Sequence, residues 1–275
     1  MKITHADDGR IVYTFRQSWI GSFLRCPELA RREAFDPDFV SGGSDATAIG
    51  TAMHAGAEHN LRESATFDEC LDKAVAEFDY ETTLPGFRYV QVAKRDTAIT
   101  QVMNTLEVWY HQIRPKVGIP ISIEDKFSVE LYSDEHMVIM LNGTMDCVDD
   151  HGMMWDWKTA NDKEKYGQRK AWEYQRWAVQ PTVYTYAWYV LSGEIVPFTF
   201  AVALKGKPNQ DAQFLAVDRE QHHWDWLAEQ LRSVINMYAT MGEAGPWPLN
   251  DQHVLCSPRW CANWADCKGA IIDSM

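Results

Sequence analysis

The spacing of apolar and polar positions changes along the chain. From Tyr13 to Phe35, in YTFRQSWIGSFLRCPELARREAF, apolar residues recur at helical spacing, and Ser18 is placed to cap that helix. After the linker-like VSGGSDATAIG, helical patterns follow over roughly 47–63, 67–80 and 91–114. The period then shortens to two. ISIEDKFSVELY and HMVIMLNGTMDCV read as strands, Asp149-Asp150-His151-Gly152 as a turn, and MMWDWKT as a third strand. A long helical segment is predicted over about 163–192. PFTFAVAL and AQFLAVD then read as two more strands, REQHHWDWLAEQLRSVINMYATM as a helix, and the tail from Gly245 as irregular. This order predicts a mixed α/β (α+β) fold: helices first, then a small sheet with a helix packed on it, then a cysteine-bearing tail.

In MMWDWKT, Asp156 and Lys158 interrupt an apolar run. Residues two apart on a strand share a face about 7 Å apart, so Asp156 and Lys158 lie with Met154 while Trp155 and Trp157 face the core. Asp146 lies on the preceding strand, and the turn between brings the two carboxylates towards one end of a hairpin. Paired carboxylates suit a hard cation such as Mg²⁺ or Mn²⁺, and a neighbouring lysine suits developing negative charge. Asp-x-Lys by itself equally describes an amphipathic strand with an exposed ion pair, so partners decide its meaning. His54 follows a Gly-rich stretch on a predicted helix. Glu58 and His59 near it do not form either common zinc-protease order. Gln180 and Tyr184, four apart, are neighbours on a helix face, and Arg176 extends the row.

The run His54, then GTMD with Asp146, then DWK with Asp156 and Lys158, then QPTVY with Gln180 and Tyr184 resembles the RecB-type branch of the PD-(D/E)xK nucleases, over about half of the chain. The resemblance implies a restriction-endonuclease-like αβββαβ core in a single nuclease domain spanning 1–275. Within it, 1–115 would be mainly helical, 116–220 the catalytic core, and 221–275 a helix plus a cluster-binding tail. It implies that His54, Asp146 and Asp156 bind Mg²⁺ or Mn²⁺, that Asp146, Asp156 and Lys158 are catalytic, and that Gln180 and Tyr184 line the DNA path; Arg176, in the same helix row, is expected to contact DNA with them. The chain departs from the pattern in having Asp156 where many members have glutamate, and in Pro181 directly after Gln180, which favours a first helical turn.

Of six cysteines, Cys256, Cys261 and Cys267 crowd the end of the chain, and Cys26 supplies a fourth thiolate if the two ends meet. Four thiolates suit structural Zn²⁺ or an iron–sulfur cluster, and paired Cys-x-x-Cys knuckles are absent. The resemblance favours a [4Fe–4S] cluster. In the iron–sulfur nucleases of this branch, the AddB-type subunit and the CRISPR-adaptation exonucleases, one cysteine precedes the histidine motif and three lie near the C-terminus. The last gap here matches theirs; the first is four residues where two is common. Cys70 and Cys147 are read as ordinary buried thiols.

Composition narrows the functional classes. A net charge of −13 argues against broad, non-specific attraction to nucleic acid but leaves room for a local basic strip. The densest basic stretch, Lys163, Lys165, Arg169, Lys170 and Arg176, directly follows the Asp156 strand. The twelve tryptophans, among them Trp155, Trp157, Trp188, Trp224 and Trp226, are expected in the core. No apolar run reaches membrane-spanning length and MKITHADDGR is not a signal peptide, so no membrane partner and a cytoplasmic location are expected. The expectation is a metal-dependent DNA exonuclease acting on single strands or duplex ends, alongside a helicase, recombinase or integrase. A non-catalytic DNA-binding scaffold and a zinc-stapled protein of unrelated function are the alternatives. No Walker A pattern is present, so ATP-driven unwinding would need another chain.

Overall fold

The computed structural model describes residues 1–39, 42–92, 94–160, 179–205, 212–250 and 256–269. The chain opens with strands β1 (Lys2–His5) and β2 (Ile11–Arg16), followed by helices α1 (Gln17–Arg25), α2 (Pro27–Phe35), α3 (Asp45–Glu63), α4 (Phe67–Thr82) and α5 (Arg95–Val108). Strands β3 (Pro120–Ser133), β4 (Met137–Asp149) and β5 (Met154–Ala160) come next. Helix α6 (Val179–Ser192), strands β6 (Phe198–Leu204) and β7 (Gln213–Val217) and helix α7 (Gln221–Met241) complete the main elements. The fold is mixed α/β, as the periodicity predicts, and it contains the expected helix, three strands, helix, strand succession.

The N-terminal region corrects the sequence reading. Tyr13–Arg16 is strand, not helix, and β2 pairs in parallel with β4 from Ile11↔Met137 to Arg16↔Asn142. Alternation of buried Tyr13 and Phe15 with more exposed neighbours holds this short segment in the sheet. The helix then begins at Gln17, so Ser18 sits inside α1 rather than capping it. Pro27 lacks the amide that would continue α1, so the helical run splits at Cys26 into α1 and α2. The helices α3 and α4 do start at capping boxes, Ser44 with Thr47 and Thr66 with Glu69.

The seven-stranded sheet runs β1-β2-β4-β5-β6-β7, with β3 paired along the other edge of β4. One edge of β4 therefore serves two partners. β2 leaves it at Asn142, and β5 joins it only at Cys147↔Trp155 and Val148↔Met154. Residues 143–146 lie at the fork between these two strands, and Asp146 is at that fork.

Helices cover both faces. On one side Phe15, Trp19, Leu141, Val183, Phe198, Phe200 and Leu231 form a core beneath α1, α6 and α7. On the other, Ile49, Met53, Phe78, Leu106, Trp109, Trp155 and Trp157 form a second core beneath α3, α4 and α5. Trp155 and Trp157 thus anchor β5 as the period-two reading expects. Trp226, in contrast, is about half exposed on α7. Gly56 lets α3 approach α4 closely, because a Cβ there would lie 2.9 Å from both the Cys70 carbonyl oxygen and Leu106 Cδ1.

Candidate active site

β4, β5, α3 and α6 converge at the fork. The Trp157 amide donates to Asp146 Oδ2 at 2.8 Å, which ties β5 to β4 just beyond their last paired residues. From α3, His54 Nε2 lies 2.8 Å from the Trp157 carbonyl oxygen. A carbonyl only accepts, so Nε2 carries the proton. Nδ1 is left facing Asp146 Oδ2 at 3.5 Å and Glu124 Oε1 at 3.6 Å. Ligand atoms of His54, Glu124 and Asp146 all lie within 4.8 Å of one another.

One ring nitrogen and two carboxylate oxygens aimed at a common point repel unless a proton or a cation stands between them. Burial opposes a charge on His54, but Asp146 and Glu124 outweigh it and lift its pKa to about 9. Burial pushes Asp146 up, while His54 and Lys158 pull it down; the net direction is up. The group fits a divalent cation bound by oxygen and imidazole ligands.

Glu124 was not singled out by the sequence reading. It lies on β3, directly between Ile123↔Cys147 and Asp125↔Met145, and has φ of +48°, in the left-handed region. Among the described residues Ser64 is the other non-glycine with positive φ, and it ends α3. The chain is steadied beside Glu124 by Arg62 of α3, which donates from Nη2 to the Ile123 carbonyl and from Nε to Glu58 at 2.7 Å. Burial alternation gives no warning of it, because ISIEDK reads as regular strand. The usable signal is three ionisable residues together, Glu124 to Lys126, in a strand opposite Asp146.

Asp156 is fully buried, on the face of β5 opposite Trp155 and Trp157 and towards α6. Its Oδ1 accepts from Gln180 Nε2 at 2.6 Å, and Gln180 Nε2 also lies 3.2 Å from Tyr184 Oη. Its Oδ2 is ion-paired with the Lys158 ammonium. Burial pushes the Asp156 pKa up to about 6, with Lys158 opposing and Asp146 adding to it. Tyr184 is buried, and burial followed by Asp156 and Asp146 raises its pKa, so its hydroxyl stays protonated. Its ring packs edge-on to Phe127, with centroids 5.8 Å apart, over Gly143.

Thus the structure brings His54, Asp146, Asp156, Lys158, Gln180 and Tyr184 into one region. It groups His54 and Asp146 with Glu124, and turns Asp156 to Lys158 and Gln180. Arg176 and the basic stretch from Lys163 to Lys170 lie outside the described residues.

A second constellation joins the two ends of the chain. Cys26, Cys256, Cys261 and Cys267 line one cavity of about 740 Å³. All are free thiols. Burial raises the Cys261 thiol, with Cys256 and Cys26 adding to it; burial also raises Cys267, with Cys26 and Cys261 contributing against Arg32. The C-terminal segment is fastened to α2 by the Trp247 amide donating to Glu28 Oε2 at 2.9 Å, and to α1 by Asn250 Nδ2 donating to the Arg25 carbonyl at 2.7 Å. Cys70 and Cys147 are buried in the helical-side core, away from this cavity.

No known family's sequence profile matches the chain, and no curated protein matches it. Solved structures do. A crystal structure from Eubacterium rectale, of a protein provisionally called an exonuclease, superposes with a TM-score of 0.55 at 13% identity, covering 88% of this chain and 85% of that one. The chain shares that protein's fold. SSO0001 matches at a TM-score of 0.33 and 10% identity over 73% of this chain and 80% of that one, a likeness too distant to carry any inference. Among the described residues no helix is long and apolar enough to cross a membrane.

Proposed function

We propose that the chain is a metal-dependent nuclease, specifically a DNA exonuclease working on single strands or duplex ends with Mg²⁺ or Mn²⁺. The observation that carries this reading is the convergence at the fork in the sheet of the His54, Glu124 and Asp146 ligand group with buried Asp156 and its half-buried partner Lys158. The shared fold with a protein provisionally called an exonuclease supports it.

His54, Asp146 and Asp156, with Glu124 beside them, would hold the cation. Bound there, it would polarise a phosphodiester and acidify the attacking water. The chain's own groups do the rest. The Trp157 amide fixes Asp146, and the Trp157 carbonyl fixes the His54 ring. Lys158 places a positive charge where negative charge develops on the phosphate. Gln180 orients Asp156, and the protonated Tyr184 hydroxyl is a donor at the rim. Labelled DNA should be degraded by the purified protein with Mn²⁺, and Asp156→Ala should abolish this while leaving the circular dichroism spectrum intact. Equal activity in that variant would end the assignment.

The cysteine cavity is read as the seat of a structural [4Fe–4S] cluster. What supports iron–sulfur over zinc is the resemblance, with one cysteine before His54 and three near the C-terminus, on residues that line one cavity. Iron content and broad visible absorbance after anaerobic purification, both lost in Cys261→Ser, are the expected result. Zinc without iron would overturn it.

A further inference from the structure

Beside the candidate site lies a groove of about 440 Å³ that Tyr184 helps to line. Its lining includes Arg16, Ser18, Lys126, Asn142 and Thr144, and no aspartate or glutamate. That composition stands out in a chain of net charge −13.

Strand pairing places these residues in order. Lys126 is the cross-strand partner of Thr144, and Asn142 is the partner of both Ser128 and Arg16. Phe127, Val129 and Leu141 are buried in the core under α6, so the alternate positions Lys126, Ser128 and Asn142 face away from it. Two steps along β4 cover about 7 Å, and neighbouring strands lie about 4.8 Å apart. The result is a polar strip crossing β3, β4 and β2 obliquely, its β4 end two residues short of Asp146. Lys126 is exposed and makes no ion pair with the described residues. Arg16 is largely exposed; Nη2 contacts Glu33 Oε1 at 2.8 Å, leaving other guanidinium donors for a second partner. The polar members Asn142, Thr144 and Ser18 add neutral hydrogen-bonding groups between the two cations.

We propose that this strip binds the phosphodiester backbone of the DNA strand being cut, holding phosphates adjacent to the scissile one through Lys126 and Arg16. It rests on the nuclease reading above and adds the strand's path to it. Two spaced cations with hydroxyl and amide groups between them, on a floor without carboxylates, match a polyanion contacted at its backbone rather than its bases. The groove shares Tyr184 with the candidate site, so a strand lying in it leads towards that site.

The test is fluorescence anisotropy of a labelled single-stranded oligodeoxynucleotide in EDTA, titrated over a range of salt concentrations, with Mn²⁺-dependent cleavage measured in parallel. Each backbone contact to a single strand contributes about 0.7 to the slope of log affinity against log salt. Lys126→Ala should weaken binding several-fold and make the slope shallower by about 0.7, and adding Arg16→Ala should double the change in slope. Lys73→Ala, on the exposed face of α4, removes the same charge elsewhere and should leave the slope unaltered. In cleavage assays Lys126→Ala should raise KM more than it lowers kcat. Lys126 is exposed and has no ion pair among the described residues, so this variant reports on the strip even if Arg16→Ala, which strands Glu33, fails to fold. Cleavage by the native protein with an unaltered salt slope in Lys126→Ala would overturn the strip and leave the nuclease reading standing. Absence of both binding and cleavage in the native protein would remove both.

Discussion

Replacing Glu124 by glycine should make the cation-free protein more stable and its cation site weaker. A non-glycine residue held in the left-handed region costs about 1–2 kcal/mol, and glycine removes that cost. Glycine also gives the unfolded chain more freedom, which takes back about 0.5–1 kcal/mol. The side chain contributes separately, since loss of the Glu124 carboxylate relieves Asp146 of a like charge and deprives His54 of a partner. Glu124→Gln loses the charge and keeps the strained backbone, so the difference between the two variants isolates the backbone effect at about 0.5–1 kcal/mol in favour of glycine. For a chain of this length that is about 1–3 °C in Tm. Circular dichroism melts in EDTA measure it, and calorimetric Mn²⁺ titration measures the other half, a loss of about 10- to 100-fold in affinity in both variants. If glycine melts at or below glutamine, position 124 stores no strain. If both variants keep full Mn²⁺ affinity, Glu124 does not belong to the ligand group.

The other expectations follow from burial and charge at the same fork. Asp156, whose folded-state pKa of about 6 lies above its ordinary 3.8, destabilises the cation-free protein at neutral pH, and the penalty fades as pH falls through 6. Asp156→Asn should therefore raise Tm in EDTA at pH 7.5 while abolishing cleavage; a fall in Tm would contradict the burial argument. His54 has a folded-state pKa of about 9 against an ordinary 6.5, so its contribution is complete below 6.5 and is lost as pH rises through 9. A cation ligand must be the neutral imidazole, so Mn²⁺ binding at pH 7.5 should release about one proton, counted by calorimetry in buffers of different ionisation enthalpy. Release of none would place His54 outside the ligand set. Gly143→Ala puts a Cβ 2.6 Å from Phe127 Cζ and 3.3 Å from Tyr184 Cε1. It should cost about 1–3 kcal/mol by overpacking and lower kcat through displacement of Tyr184, with Mn²⁺ affinity kept.

Legibility tracked the range of the interaction that decides each element. Period-two alternation placed Trp155 and Trp157 in the core and Asp156 with Lys158 away from them, because that geometry is set within a few residues. The i, i+4 spacing of Gln180 and Tyr184 likewise became a direct hydrogen bond. Tyr13–Arg16 misled because its apolar spacing is compatible with helix, and only pairing with β4 more than a hundred residues later makes it strand. The left-handed backbone at Glu124 escaped the sequence reading for a related reason. Its backbone conformation is imposed by Arg62 on the Ile123 carbonyl and by its place opposite Asp146, neither of which leaves a local signature.

The misread N-terminal strand is also what completes the site's surroundings. Without β2, the free edge of β4 would run open from Met137 to Asp146, and nothing would place Arg16 opposite Asn142. With it, β2 ends at Arg16, α1 turns away at once, and Cys26 at the far end of α1 reaches the cavity shared with Cys256, Cys261 and Cys267. One nine-residue helix therefore links the rim of the groove to the seam between the two ends of the chain. A group bound among the four cysteines would fix the direction of α1 and, through it, the start of the basic strip. Loosening that seam should then weaken DNA binding through Arg16 before it disturbs His54, Asp146 or Asp156, which hang on α3, β4 and β5.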